Sequence, residues 1–182
     1  SIGKRGSGTE VSGRVIMRSL GFNPDKDFKL KYLGYLPSAN ALQNGRIVGL
    51  NIPAGPPANA VTQAYAIIGA KNLRILEYSD SQLEAINSVY SVWRRYTLRA
   101  GIYPGQEEDI QTISQSNVLV VHQEIDENIV YEIVKTIYEN LSYLGKVHQA
   151  TNEMSLEEAV SRIPMPLHAG AVRYFLEQGI DI

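Results

Sequence analysis

Residues 1–11 read SIGKRGSGTEV, and this stretch decides the fold class. Ile2 lies in a short apolar stub of the kind that ends a β-strand, and the glycines after it predict a tight turn. Ser7 or Thr9 is then the N-cap of a helix predicted over residues 11–20, because either side-chain oxygen accepts from a helix amide. A strand, a glycine-rich turn and a helix in immediate succession are typical of α/β proteins.

The rest of the chain continues this alternation of short strands and helices. Apolar runs and period-two patterns predict strands, whereas apolar residues three and four apart predict helices. The predicted strands cover residues 28–33, 47–52, 73–76 and 113–121, and residues 94–104 fit either a strand or an extended linker. The predicted helices cover residues 38–44, 61–68, 81–90, 126–144, 156–163 and 170–178. The fold class expected is therefore α/β.

The composition is that of a globular chain and excludes several functions. Of the 182 residues, 44% are hydrophobic and 20% are charged, and the net charge of −2 indicates no nucleic-acid partner. The absence of cysteine excludes disulfides, thiolate nucleophiles and cysteine zinc sites. No apolar run approaches the ~20 residues that span a bilayer, so no direct membrane insertion is expected.

The strongest local signal for a binding site is GSGTE at residues 6–10. The first amides of a helix have no partner within it, and the helix dipole adds positive potential there. Gly8 lets a ligand approach the backbone, and Ser7 and Thr9 add hydroxyl groups. These features predict a site for a carboxylate or phosphate. A tight turn with a capped helix explains the same residues equally well.

Two further segments are candidates for the same site. Residues 53–57 read PAGPP and precede a helix, so Gly55 and Pro56 are expected at the same edge of the sheet as the first turn. A stiff loop without a ligand is the alternative. Residues 101–106 read GIYPGQ, which predicts a sharp bend in which Tyr103 lines a pocket or is simply buried.

The sequence offers no assembled catalytic or metal centre. His122, His148 and His168 are far apart and have no carboxylate at ligand spacing, so they are expected to be single core or surface residues. No serine lies in a GxSxG motif. We therefore expect no catalytic residues, no metal and no cofactor.

The order of motifs resembles the TAXI-type solute receptors of TRAP transporters, the TRAP-associated extracytoplasmic immunogenic proteins. The matching pieces are GSGTEV at residues 6–11, ALQNGRI at 41–47, IPAGPPANAV at 52–61, AGIYPGQEEDIQTI at 100–113 and PLHAGAVRYFLEQG at 166–179. The chain departs from the family pattern at Val48, where an acidic residue is common, and in having both Pro56 and Pro57.

The resemblance implies a two-lobed periplasmic-binding-protein fold that holds an amino-acid-like or dicarboxylate-like ligand between its lobes. Residues 1–106 would form one α/β lobe, and residues 107–182 would be the C-terminal part of the second. Ser7, Gly8, Thr9, Gly55, Pro56 and Tyr103 would contact the ligand. The implied location is periplasmic or otherwise extracytoplasmic, and the implied partners are the membrane subunits of a TRAP transporter.

Two other readings stay open. One is an enzyme on a related fold that acts on a small phosphorylated or carboxylate substrate, and the other is a ligand-sensing domain of a regulator. The start at Ser1, without Met or signal peptide, also leads us to expect a fragment with one nearly complete lobe. Such a fragment would bind ligand poorly and self-associate through an apolar face containing Ile129, Ile133, Val134 and Ile137.

Overall fold

The computed structural model describes residues 1–161 and 163–182, which divide into two compact units, Ser1–Gln115 and Ser116–Ile182. The first unit contains α1 (Gly8–Ser19), α2 (Pro24–Asp27), α3 (Tyr35–Gln43), α4 (Asn59–Ile68), α5 (Asp80–Asn87), β1 (Trp93–Leu98) and β2 (Ile110–Gln115). The second contains α6 (Glu127–Glu139), α7 (Leu141–Val147), a 3-10 helix (Gln149–Glu153), α8 (Leu156–Ala159) and α9 (Ala169–Glu177). The mixed α/β class is as predicted, and the two-lobed architecture stays a prediction. Within the described ranges, no helix combines the length and the apolar character needed to cross a membrane.

The helices of the first unit lie close to where the sequence predicts them. Helix α1 begins one turn before the predicted start, because Ser7 caps it and Gly8 is already helical. Helices α3 and α4 pack on each other through Ala39, Ala60 and Ala64. These small side chains allow a close approach of the two helices.

Three predicted strands of the first unit are wrong. Residues 28–33, 47–52 and 73–76 contain no strand in the described structure and lie wholly outside its helices, and Ile2 does not belong to a strand either. The amide of Ile2 donates to the carbonyl of Lys31 (3.0 Å), and the amide of Asn51 donates to that of Ser1 (3.0 Å). These isolated bonds bring the segments side by side without the repeated pairing of a ladder.

The sheet of the first unit consists of β1 and β2, which pair antiparallel with Trp93 opposite Gln115 and Leu98 opposite Ile110. The strand predicted over residues 113–121 therefore begins earlier and ends at Gln115. Helix α5 begins at Asp80 with a capping box of Ser79 and Gln82, rather than at the predicted Ser81.

The second unit is built on the packing of α6 against α9. Its core contains Val130, Ala171, Tyr174 and Phe175. Gly170 lies at the crossing of the two helices, where an added β-carbon would collide with the carbonyl oxygen of Glu127 and lie 2.7 Å from the amide nitrogen of Tyr131.

Two predictions concern other parts of this unit. The helix predicted over residues 156–163 includes residue 162, which lies outside the described residues, and α8 covers only the first four positions of the prediction. Ile129 and Ile133 of α6 are exposed, whereas Val134 packs against the core. Self-association through this face stays a prediction.

Candidate functional site

The start of α1 is closed by its own side chains. The Ser7 hydroxyl donates to the carbonyl oxygen of Lys4 (2.6 Å) and accepts from the amide of Glu10 (3.2 Å). Since a hydroxyl has one proton, Ser7 has none left to donate elsewhere in this arrangement. Ser7 is the N-cap, as one of the two predicted candidates, and its contact to a ligand stays a prediction.

Glu10 provides an internal carboxylate at the same turn. Its Oε2 accepts from the amide of Gly6 (2.8 Å), and its Oε1 accepts from Nε of Arg14 (3.0 Å). The bond from Gly6, followed by the bond from Arg14, holds the pKa of the Glu10 carboxyl below its usual value. Arg14 is fixed in turn by two bonds to the carboxylate of Asp25 (2.8 and 3.0 Å).

Two amides remain available at the start of α1. The N–H groups of Gly8 and Thr9 have no acceptor among the described residues. Gly8 is exposed, so a small anion can reach these amides without moving a side chain.

Thr9 connects this turn to the loop before α4. The Tyr35 hydroxyl donates to the carbonyl oxygen of Pro53 (3.0 Å), and its oxygen lies 3.3 Å from Oγ1 of Thr9. Because the single proton of Tyr35 is directed at Pro53, Thr9 is the donor in its bond with Tyr35. Asn51 adds a second connection by donating from Nδ2 to the carbonyl oxygen of Thr9 (3.2 Å). The two predicted segments are therefore neighbours.

The start of α4 has no side-chain cap, unlike the start of α1. Ala58 occupies the N-cap position and has no side-chain oxygen to cap with. The amides of Asn59 and Ala60 have no acceptor among the described residues. In the preceding loop, Gly55 is exposed and Pro56 is half-buried.

Tyr103 lies beneath the start of α4. Its hydroxyl accepts from the amide of Ala58 (3.2 Å), and its ring stacks on that of Tyr65 with centroids 5.4 Å apart. The side chain is buried, and this burial raises the pKa of the Tyr103 phenol, so the group keeps its proton at neutral pH. No described residue accepts that proton. Tyr103 is therefore buried, which is one of the two outcomes that the sequence allows, and its role in lining a pocket stays a prediction.

The three histidines serve local backbone turns. Nδ1 of His122, His148 and His168 accepts from the amide of the residue two positions later. In the described part of the chain, no group of three or more His, Asp or Glu side chains is placed to hold a metal ion.

Sequence reasoning missed the residues that join the predicted segments. Tyr35 and Asn51 have no motif that indicates their role, because they act through bonds to residues distant in sequence. The role of Glu10 had a signal. An acidic residue three positions after a serine N-cap is the pattern of a capping box, in which the acid returns to the turn.

Comparison with known protein families assigns the chain to one of them. A family model described as the NMT1-like family matches residues 1–179. This is a family of periplasmic solute-binding proteins related to the receptors of TRAP and ABC transporters. The match covers both units and all six predicted site residues.

Proposed function

The chain belongs to the NMT1-like family, and from this premise we propose that it is a receptor for a small carboxylate ligand. The general role of this family is extracytoplasmic solute binding. The ligand would be amino-acid-like or dicarboxylate-like. It would be bound at the starts of α1 and α4 and passed to the membrane subunits of a TRAP-type transporter.

The proposal rests on unused donors at two helix starts whose preceding loops are connected by hydrogen bonds. Gly8 and Thr9 supply two amides, and Asn59 and Ala60 supply two more. The bond from Tyr35 to Pro53 connects the turn before α1 with the loop before α4. Amides at helix starts favour an anion, and a carboxylate oxygen accepts more than one such bond.

The finer parts of the proposal come from the resemblance to TAXI-type receptors. They are the TRAP transporter as partner, the periplasmic location and the holding of ligand between two lobes. In the proposed receptor, residues 1–106 belong to one lobe and residues 107–182 to the other. Gly55 and Pro56 would contact the ligand from the loop before α4.

We propose binding without turnover. The family is one of binding proteins in general. The two hydroxyls at the start of α1 are bonded to the Lys4 carbonyl and to Tyr35 rather than to a base. Incubation with amino acids and dicarboxylates should return unchanged ligand on product analysis. Conversion of any of them would favour the enzyme reading.

An amide-resolved NMR titration of the nitrogen-15-labelled protein tests the proposal. Succinate should shift the amide signals of Gly8, Thr9, Asn59 and Ala60 in a saturable manner. The neutral analogue succinamide is the matched ligand control and should leave them in place. Saturable shifts confined to other residues, or equal shifts with succinamide, would remove the basis for a carboxylate site.

Tyr103→Phe extends this test to a side chain. Loss of one hydrogen bond to a charged ligand costs ~1.5–3 kcal/mol, so affinity for succinate should fall about tenfold to a hundredfold. Tyr90→Phe is the control, because Tyr90 is an exposed tyrosine of the same unit. Equal affinities of the two variants would show that the Tyr103 hydroxyl does not contact the ligand.

A further inference from the structure

The bend that contains Tyr103 has a defined geometry. Residues 103–106 form a turn in which the amide of Gln106 donates to the carbonyl oxygen of Tyr103 (3.1 Å). Pro104 occupies the second position, and Gly105 has a φ of 74° at the third, as a type II turn requires. The turn alone fixes the backbone locally but does not connect it to the strands on either side.

The side chain of Gln106 makes that connection. Its Oε1 accepts from the amide of Tyr103 (3.3 Å), and its Nε2 donates to the carbonyl oxygens of Arg99 (3.0 Å) and Glu108 (2.7 Å). Gln106 is only 6% exposed, and both protons of its amide are used. A buried polar side chain with all its hydrogen bonds made restricts its surroundings to one arrangement.

We propose that Gln106 is a positioning residue for ligand binding, because it fixes the backbone from which Tyr103 presents its hydroxyl at the start of α4. This inference rests on the proposed function. The chain of contacts runs from Gln106 to the amide of Tyr103, and from the Tyr103 hydroxyl to the amide of Ala58 (3.2 Å). Removing the Gln106 amide leaves two carbonyls of the bend without donors, so Tyr103 loses its fixed position.

The surface contacts of the bend cannot replace Gln106. Nη1 of Arg99 lies 2.8 Å from Oδ2 of Asp109, but the side chain of Arg99 is 75% exposed. Ion pairs in such positions contribute little, since water screens them. The buried amide therefore supports the bend where water does not screen its bonds, beside the backbone bond from the amide of Gly101 to the carbonyl oxygen of Gln106 (2.8 Å).

A double-mutant cycle tests this role. Gln106→Met keeps the approximate shape and removes the hydrogen bonds, and it should weaken succinate binding about as much as Tyr103→Phe. The double variant should bind like Tyr103→Phe alone, because Gln106 acts through Tyr103. Gln123→Met is the control, since Gln123 is an exposed glutamine. Additive losses in the double variant would overturn the inference.

A spectroscopic measurement separates positioning from general destabilisation and does not need a ligand. Carbon-13 is placed at the ring carbon that carries the tyrosine hydroxyl, and the Tyr103 signal is assigned by its absence in Tyr103→Phe. In Gln106→Met this signal should move towards the value of exposed tyrosines, and the Tyr103 phenol should titrate at lower pH than in wild type. An unchanged Tyr103 signal in a folded Gln106→Met protein would overturn the inference, whether or not the wild-type protein binds a carboxylate. A wild-type protein that binds no carboxylate would refute the proposed function separately.

Gln106→Glu serves if the methionine variant does not fold. A protonated glutamic acid keeps one donor and one acceptor, whereas the ionised form faces carbonyl oxygens with a charge. The Tyr103 signal should therefore be nearer to wild type at about pH 5.5 than at about pH 7.5, since burial raises a carboxyl pKa. A signal that is displaced equally at both pH values would contradict the role of the Gln106 donors.

Discussion

The starts of α1 and α4 differ in how much of their hydrogen-bonding capacity they use themselves. At α1, Ser7 and Glu10 satisfy the amides of Glu10 and Gly6, and the Thr9 hydroxyl is bonded to Tyr35. At α4, the N-cap residue is Ala58, and no side chain of the helix caps it. The first start has the richer sequence motif and a side-chain cap, whereas the second has no side-chain cap, yet in the described structure each start leaves two amides unused.

This difference shows why a motif for an anion site is ambiguous. Serine, threonine and acidic residues near a helix start are favoured both as caps and as contacts to a ligand. The two roles compete for the same protons and amides. A helix start with a poor cap is therefore as informative as one with glycines and hydroxyls.

The largest effect is expected when α4 is given a side-chain N-cap, as α1 has. Ala58→Asp places a carboxylate at an N-cap whose φ of −86° and ψ of 123° already suit capping. Unfolding free energy should rise by about 1 kcal/mol, and succinate affinity should fall more than about tenfold through competition and repulsion. Calorimetric unfolding and the NMR titration measure the two quantities.

Ala58→Asn separates these two causes. It caps without a charge, so it should stabilise the protein similarly and weaken binding less than Ala58→Asp. If both variants bind succinate like wild type, the amides of α4 are not part of the site.

A smaller effect is expected at α1, on stability alone. Ser7→Ala removes the N-cap and should lower the free energy of unfolding by about 1 kcal/mol. Succinate affinity should stay within about twofold, because the Ser7 proton is already bonded to Lys4. Ser142→Ala, at an exposed helix position, is the control for stability. A tenfold loss of affinity in Ser7→Ala would restore Ser7 as a ligand contact.

The smallest effect concerns acid sensitivity at the same turn. The pKa of Glu10 is lowered in the folded protein from its usual value of 4.5, so its stabilisation is present above that pH. It is lost as pH falls through the folded pKa. Glu10→Gln should therefore show a shallower loss of stability below about pH 4.5 in urea unfolding. An equally steep loss of stability would mean that, in solution, the Glu10 carboxylate does not keep its bonds to Gly6 and Arg14.

Much of the helical structure could be predicted because its signals are local. Asp126 accepts from the amides of Asn128 and Ile129. This N-cap was predictable because an aspartate stands directly before the wide apolar stripe of the helix. The strands were harder, because a ladder needs a partner that the segment itself does not contain. Residues 28–33 and 47–52 have the apolar content of strands, yet in the described structure their backbones make isolated bonds to Ser1 and Ile2 instead of a ladder.

The sequence predicted which segments contain the candidate site, but it did not predict the hydrogen bonds within them. Glycines and prolines indicated the turn before α1, the loop before α4 and the bend at Tyr103. The direction of a hydroxyl proton depends on a third residue, as when Tyr35 donates to Pro53 and leaves Thr9 as the donor. Gln106 ends the GIYPGQ segment, whose letters predict a bend but assign no bonds to the Gln106 amide, and the proposed role rests on its burial and its three bonds.

Gly170 limits how the second unit can change during evolution. A contact between two side chains can be rebuilt by paired substitutions, with a smaller residue opposite a larger one. The two atoms nearest to a β-carbon at position 170 are the carbonyl oxygen of Glu127 and the backbone nitrogen of Tyr131, and every residue type supplies these atoms. No replacement at either position makes room for a side chain at 170. Other positions of this helix pair can therefore change, but glycine at position 170 must stay, because no substitution at a contacting residue makes a larger side chain acceptable there.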